Sequence, residues 1–238
     1  MRKFWKKGFT LLLGTLLAVS LTGCGRSADG TGSTAGGSGA ANIVNIGVTG
    51  SLVSFNPFVM DMSEMNHYSS GLMFLPLVEL DQNLNFVPML ADSITTEDNL
   101  TFTVHIDDAA TWSDGTPVTA ADVEYTVRRL CSPVVANPYM MYYVFEGVDD
   151  ETGFVEENAD SVAGIRIVDD KTITFTVKSP MSLISFENGY ARYMNILPKH
   201  VIEKFSEAEL TTNEWFSHPD VVSGPYMVTD FDPEHYVS

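Results

Sequence analysis

The sequence predicts a mixed α/β fold, on three observations. Leu100, Phe102, Val104 and Ile106 alternate with Thr101, Thr103 and His105, the period-2 pattern of a strand with one buried and one wet face. Ile165 and Ile167, the turn Asp169-Asp170-Lys171, then Ile173, Phe175 and Val177 read as a β-hairpin bounded by Gly164 and Pro180. Between them Thr119 stands three positions before Asp122, a capping-box variant in which hydroxyl and carboxylate serve the first free helix N–H groups. A helix is therefore expected from about Ala120, with Val123, Val127 and Leu130 on one face and a stop at Pro133.

At the start of the chain, Arg2, Lys3, Lys6 and Lys7 precede an apolar stretch from Phe9 to Leu21 that is short for a membrane span, so residues 1–23 read as a signal peptide. Leu21-Thr22-Gly23-Cys24 resembles the lipobox of bacterial lipoproteins, with an ordinary secretory signal as the alternative. A diacylated Cys24, at ~0.8 kcal/mol per buried CH₂, would anchor the protein on the extracytoplasmic face of the cell membrane. Residues 24–42, rich in Gly, Ser, Thr and Ala, bury little apolar surface and read as a flexible tether. Residues 1–23 hold four basic and no acidic residues, so their removal takes the formal charge from −18 to −22. Such a surface disfavours nucleic acid; it suits an exported soluble protein or an acidic face for a cationic ligand. With Cys24 committed to lipid, Cys131 is left without a disulfide partner and reads as a buried hydrophobe.

Ile43–Val48 reads as a buried strand, and Pro57 biases Asn56 away from helix in the following loop. Met60–Leu77 is compatible with a helix up to Pro76, with His67 a packing residue or, less simply, a ligand. Val78-Glu79-Leu80 and Leu84–Val87 flank Asp81-Gln82-Asn83 as a hairpin. Trp112-Ser113-Asp114-Gly115-Thr116-Pro117 holds a tight turn, because glycine takes positive φ without steric cost and aspartate bonds its own backbone. Asn137–Phe145 is dense in aromatics and methionines, as core or as a ligand platform, and the acidic stretch Asp149–Asp160 lacks the spacing of an EF-hand. Ile196–Lys204 reads as a strand end passing into a helix, and Ser223–Val228 as a turn feeding a strand that runs on to Ser238.

Five motifs in this order carry a family resemblance: Asn56-Pro57, Val87-Pro88-Met89-Leu90-Ala91, the block from Trp112 through Val123, Leu197-Pro198-Lys199-His200-Val201, and Gly224-Pro225-Tyr226. From about Ile43 onward the chain resembles the extracellular solute-binding proteins of ABC importers, in the family that takes peptides and, in some branches, nickel, haem or other solutes. The resemblance implies a periplasmic-binding-protein-like fold of two lobes, type II, with an extra inserted subdomain, closing on its ligand by a hinge. On that layout residues 43–74 and 186–238 are first-lobe material and 75–185 the insertion. The same resemblance implies ligand contacts at Met60, Asp61, Met62 and Ser63 after the Asn-Pro turn and at Tyr139, in a receptor that captures peptides for a membrane permease without a cofactor. It also implies a family length about twice this one, hence a fragment or a truncated product stopping before the second lobe, which alone would bind peptides weakly or not at all.

Enzyme readings find little support. A surface hydrolase needs a nucleophile with its base or a metal cluster, and the chain holds no Gly-x-Ser-x-Gly, no His-Glu-x-x-His and five scattered histidines. By the family layout the Trp112 block is structural, and Asp122→Ala is expected to cost ~0.5–2 kcal/mol through the lost cap.

Overall fold

A computed structural model of the chain describes residues 47, 54–60, 64–138, 142–157, 159–232 and 236–238. The anticipated strand over Ile43–Val48, the signal segment, the tether and Cys24 lie outside the described residues, Gly47 apart. Residues 47–238 form one compact unit.

Helix α1 spans Glu64–Met73 within the helical stretch expected before Pro76. It leads into β1 (Val78–Leu80) and β2 (Phe86–Pro88), an antiparallel pair in the register Val78↔Pro88. Their turn is built by Asp81, whose Oδ1 accepts from Asn83 N at 2.8 Å and Asn85 N at 2.9 Å. The main sheet holds β3 (Ala91–Thr95), β4 (Thr101–Ile106), β6 (Thr172–Thr176) and β5 (Ile165–Ile167) in that order, all antiparallel neighbours. Phe102, Val104 and Ile106 of β4 and Ile173 and Phe175 of β6 are completely buried, while Thr101, Thr103 and His105 pair with Thr176, Thr174 and Thr172 on the other face. His105 is partly exposed and lies 3.4 Å from Asp92, as its place on the wet face requires.

Helix α2 (Ala120–Leu130) packs on β5 and β6 and buries Val123, Val127 and Leu130. Helix α3 (Leu183–Gly189) closes the same core with one fully buried side chain, Phe186, whose ring stacks on Phe102 at 4.2 Å and 3° between planes. Ser182 caps it, its Oγ accepting from Ser185 N at 3.2 Å. A short helix α4 (Lys199–Ile202) follows a buried coil at Ile196–Leu197, where a strand end was expected. Leu197 N donates to Thr126 Oγ1 at 3.0 Å, so this N–H is satisfied by a side chain of α2 and not by a strand ladder.

The Trp112 block is the joint between α2 and the last fifty residues. Gly115 sits at φ +87° and donates to Trp112 O at 2.9 Å, closing the turn over a buried Trp112. Ser113 exchanges two bonds with Val222, N to O at 2.8 Å and Oγ from Val222 N at 3.1 Å. Asp114 Oδ2 meets His200 Nε2 at 3.0 Å. Asp122 Oδ2 accepts from Thr119 N at 2.8 Å and Thr119 Oγ1 at 2.9 Å, and its Oδ1 accepts from Lys199 N at 2.9 Å. The carboxylate thus caps α2 and, from the same buried position, holds the start of α4.

Near its end the chain departs from the expected long strand. Gly224 N donates to Met73 O at 2.7 Å and Tyr226 N to Leu72 O at 3.2 Å, so this segment satisfies the free carbonyls at the C-terminus of α1. A Cβ at Gly224 would lie 2.2 Å from Leu72 O, which only glycine avoids. Among the described residues, strand pairing in this segment is that of β7 (Phe231–Asp232) with β8 (Tyr236–Val237), two residues each.

Candidate functional site

Two Asn-Pro dipeptides, Asn56-Pro57 and Asn137-Pro138, meet in space. Proline fixes its own φ and pushes the preceding residue towards extended backbone, so each dipeptide starts a sharp change of direction. Asn56 is buried and shapes the first turn: its Oδ1 accepts from Phe58 N at 3.0 Å, and its carbonyl accepts from Val59 N and Met60 N at 3.1 and 3.0 Å. Its Nδ2 donates to Leu210 O at 2.7 Å, tying the turn to a distant part of the chain. Phe58 beneath it is completely buried and meets Phe216 edge-on at 5.9 Å.

Asn137 reaches the same turn from the other segment. Its Nδ2 donates to Phe58 O at 3.0 Å and lies 3.4 Å from Pro57 O. The chain arrives there through Ala136, held at φ +49°, a left-handed conformation unusual for a residue with a side chain. Buried backbone carbonyls need donors, and here the amide of a residue 79 positions away supplies one.

Of the anticipated contact residues, Met60 is described and buried, 7% exposed, so its side chain packs inside the fold. Asp61, Met62, Ser63 and Tyr139 lie outside the described residues. Their flanks are nevertheless brought together, because the Asn137 bond joins the turn preceding 61–63 to the residue two before Tyr139. The sequence signals no role for either asparagine side chain. The available signal was the repeated Asn-Pro dipeptide, which marks two turns but not that they touch.

His67 sits in a second polar cluster under α1. Its Nε2 lies 3.0 Å from Glu79 Oε2, and Arg192 Nε donates to Glu79 Oε1 at 2.5 Å. The rings of Tyr193 and Tyr68 lie 4.8 and 5.4 Å from its own. This packing, with its partner twelve residues on, accounts for a buried histidine. Among the described residues no group of three His, Cys, Asp or Glu side chains is placed to hold a metal ion.

Burial alone would raise the Glu79 carboxyl; the Leu80 N–H, the Arg192 guanidinium and His67 outweigh it and hold the group below its ordinary value of 4.5. A carboxylate depressed in the folded state adds stability above its unfolded pKa and loses it as pH falls through the lower, folded value. The contribution of Glu79 should therefore be present above about pH 4.5 and be lost as pH falls below it, and Glu79→Gln should remove that part of the pH dependence in thermal melts taken across the window. Cys131 is completely buried, and desolvation pushes its thiol up to about 12, which suits packing and not nucleophilic attack. Burial also raises the Tyr142 phenol, with Cys131 adding to it.

Residues 85–238 match the family described as bacterial extracellular solute-binding proteins, family 5 Middle. The chain belongs to that family. Proteins of family 5 are transport receptors and not enzymes. Among curated relatives, the periplasmic oligopeptide-binding protein OppA of Salmonella typhimurium is 28% identical over 63% of this chain and 28% of its own length. OppA of Bacillus subtilis is 28% identical over 96% of this chain and 41% of its own. The chain thus spans about a third of the length of the relatives it matches. Among solved structures, Haemophilus influenzae OppA in complex with the peptide RPPGFSPFR superposes with a TM-score of 0.65 at 25% identity, over 77% of this chain and 35% of that one. The unliganded open form of the murein tripeptide-binding protein MppA gives 0.65 at 23% identity over 80% of this chain and 36% of that one, a likeness of fold. The family fold is the two-lobed one of periplasmic binding proteins, and this mixed α/β chain covers part of it.

Proposed function

We propose that this chain is part of a peptide receptor of an ABC importer, contributing one wall of the peptide site. The observation that carries the reading is the asparagine clamp, which joins the turn before Asp61, Met62 and Ser63 to the segment entering Tyr139. A family of solute receptors and relatives named for oligopeptide binding support it. In this reading Tyr139 covers the peptide with an aromatic face and offers one hydrogen bond, Asp61 meets a cationic group, and Met60 holds the loop from inside. Main-chain bonds to an extended ligand would supply most of the affinity. Residues 43–74 and 186–238 supply the first lobe, and 75–185 the inserted subdomain. Cys24 carries the lipid that keeps the receptor on the extracytoplasmic face of the membrane, beside the permease that accepts its peptide.

Competition between ligand classes tests the reading. Native mass spectrometry of the chain with a random pool of two- to five-residue peptides, with nickel(II) and with haem should show peptide adducts that survive an excess of either competitor. Saturable nickel or haem adducts with no peptide adduct would overturn it. For the anchor, mass analysis of the protein recovered from bacterial membranes should place a diacylglyceryl group on an N-terminal Cys24.

A further inference from the structure

We propose that Asn99 is an acceptor site for an N-linked oligosaccharide, transferred to this extracellular-family chain from a polyprenyl-diphosphate carrier. Asn99-Leu100-Thr101 is the one Asn-x-Ser/Thr triplet in the sequence, and its central residue is not proline. Oligosaccharyltransferases that act on exported bacterial proteins also read an acidic residue two positions earlier, where Glu97 stands. A triplet alone is a weak signal. What decides is whether the fold leaves its reacting groups within reach.

The triplet lies at the turn between β3 and β4, where Glu97, Asp98 and Asn99 are all exposed. The turn is tied by its own backbone and short side chains: Asn99 N donates to Thr96 Oγ1 at 2.9 Å, and Asp98 Oδ1 accepts from Leu100 N at 2.8 Å and Thr101 N at 2.7 Å. Asn99 stands at φ +60°, a left-handed conformation in which asparagine is enriched. Its carbonyl accepts from Met181 N at 2.9 Å, whereas its side-chain amide bonds to no described residue. The hydroxyl of Thr101, on the wet face of β4, is likewise without a hydrogen bond to any described residue. The fold thus holds the backbone of the triplet and leaves both groups the reaction uses free. Elsewhere the amides are engaged: Asn56, Asn137 and Asn195 are buried and donate to the carbonyls of Leu210, Phe58 and Phe74.

An amide nitrogen is a weak nucleophile because its lone pair is shared with the carbonyl, so the donor must carry a good leaving group. Asn99 Nδ2 attacks C1 of the first sugar and the C–N bond forms. The C1–O bond to phosphate breaks, polyprenyl diphosphate leaves with the electron pair, and Nδ2 gives one proton to a base of the transferase. The product is a bulky, hydrated group beside β3, the edge strand of the main sheet, where it hinders pairing with another chain.

The test is transfer in vitro to the purified full chain by a purified bacterial oligosaccharyltransferase, from a synthetic polyprenyl-diphosphate oligosaccharide, with a known acceptor peptide confirming turnover. Intact mass should show one added oligosaccharide, and peptide mapping should place it on Asn99. Thr101→Ser should keep the transfer, while Thr101→Val, which holds the β-branched shape without the hydroxyl, should lower it about tenfold or more. Asn99→Asp, which tolerates the same left-handed backbone, should abolish it. Transfer to another residue, transfer that persists in Asn99→Asp or Thr101→Val, or an unmodified wild-type chain beside a glycosylated control peptide would overturn the proposal. The wild-type mapping needs no variant to fold, and its outcome does not depend on whether the chain binds peptides.

Discussion

Phe186→Ala is expected to lower the unfolding free energy by about 3–5 kcal/mol, the range for emptying a large aromatic site in a closed core. Phe186 is the buried residue of α3 and the point where three elements meet. Its ring stacks on Phe102 of β4 at 4.2 Å, lies 5.7 Å from Phe175 of β6 and 6.4 Å from Phe145. Rigid strands on one side and aromatic rings on the other leave the cavity little room to collapse, which favours the upper part of the range. Against a total stability of roughly 5–15 kcal/mol for a domain, such a loss threatens folding at physiological temperature. Urea denaturation at constant m-value measures it. Ile184, two residues earlier and 68% exposed, provides the control, with Ile184→Ala expected within about 0.5 kcal/mol of wild type. A Phe186→Ala cost below about 1 kcal/mol would mean that α3 does not close the core.

Asp122→Ala is expected to cost about 3 kcal/mol, more than the loss of a helix cap alone. The cap contributes roughly 0.5–2 kcal/mol, but Asp122 Oδ1 also accepts the backbone N–H of Lys199. Removing the carboxylate strands that part-buried donor, which adds on the order of 1–3 kcal/mol. Asp122→Asn should cost less than Asp122→Ala, because its amide oxygen can still accept one of the two sets of bonds. Exchange at the Lys199 amide separates the two contributions: it should accelerate in Asp122→Ala and stay unchanged in Thr119→Ala, which touches the cap alone.

Local features were legible in the sequence and distant contacts were not. The alternation Leu100–Ile106, the Ile165–Val177 hairpin and the Thr119–Asp122 start of α2 each draw on residues within a few positions, and the structure holds all three. Strand β3 carries no sequence signal because Ala91-Asp92-Ser93-Ile94-Thr95 is an edge strand with two buried side chains and a shifted register, so it shows no clean period. The anticipated strand after Tyr226 fails for a different reason. Its first N–H groups are drawn to the carbonyls ending α1, partners some 150 positions back that no local pattern signals. His67 is similar: alone it resembles any packing histidine, and only the fold brings Glu79 and Arg192 to it. At the site, the Asn-Pro dipeptides were visible as turns, but the bond from Asn137 to Phe58 spans 79 positions and belongs to tertiary structure.

The receptor reading stands most directly on where a peptide touches the chain. Backbone amide shifts recorded by NMR during titration with a mixed pool of short peptides should move first and most at residues 57–63 and 136–143, in step with one another. Shifts confined to other parts of the chain, or movement of one of the two segments without the other, would contradict a single peptide-binding wall built around Asn137.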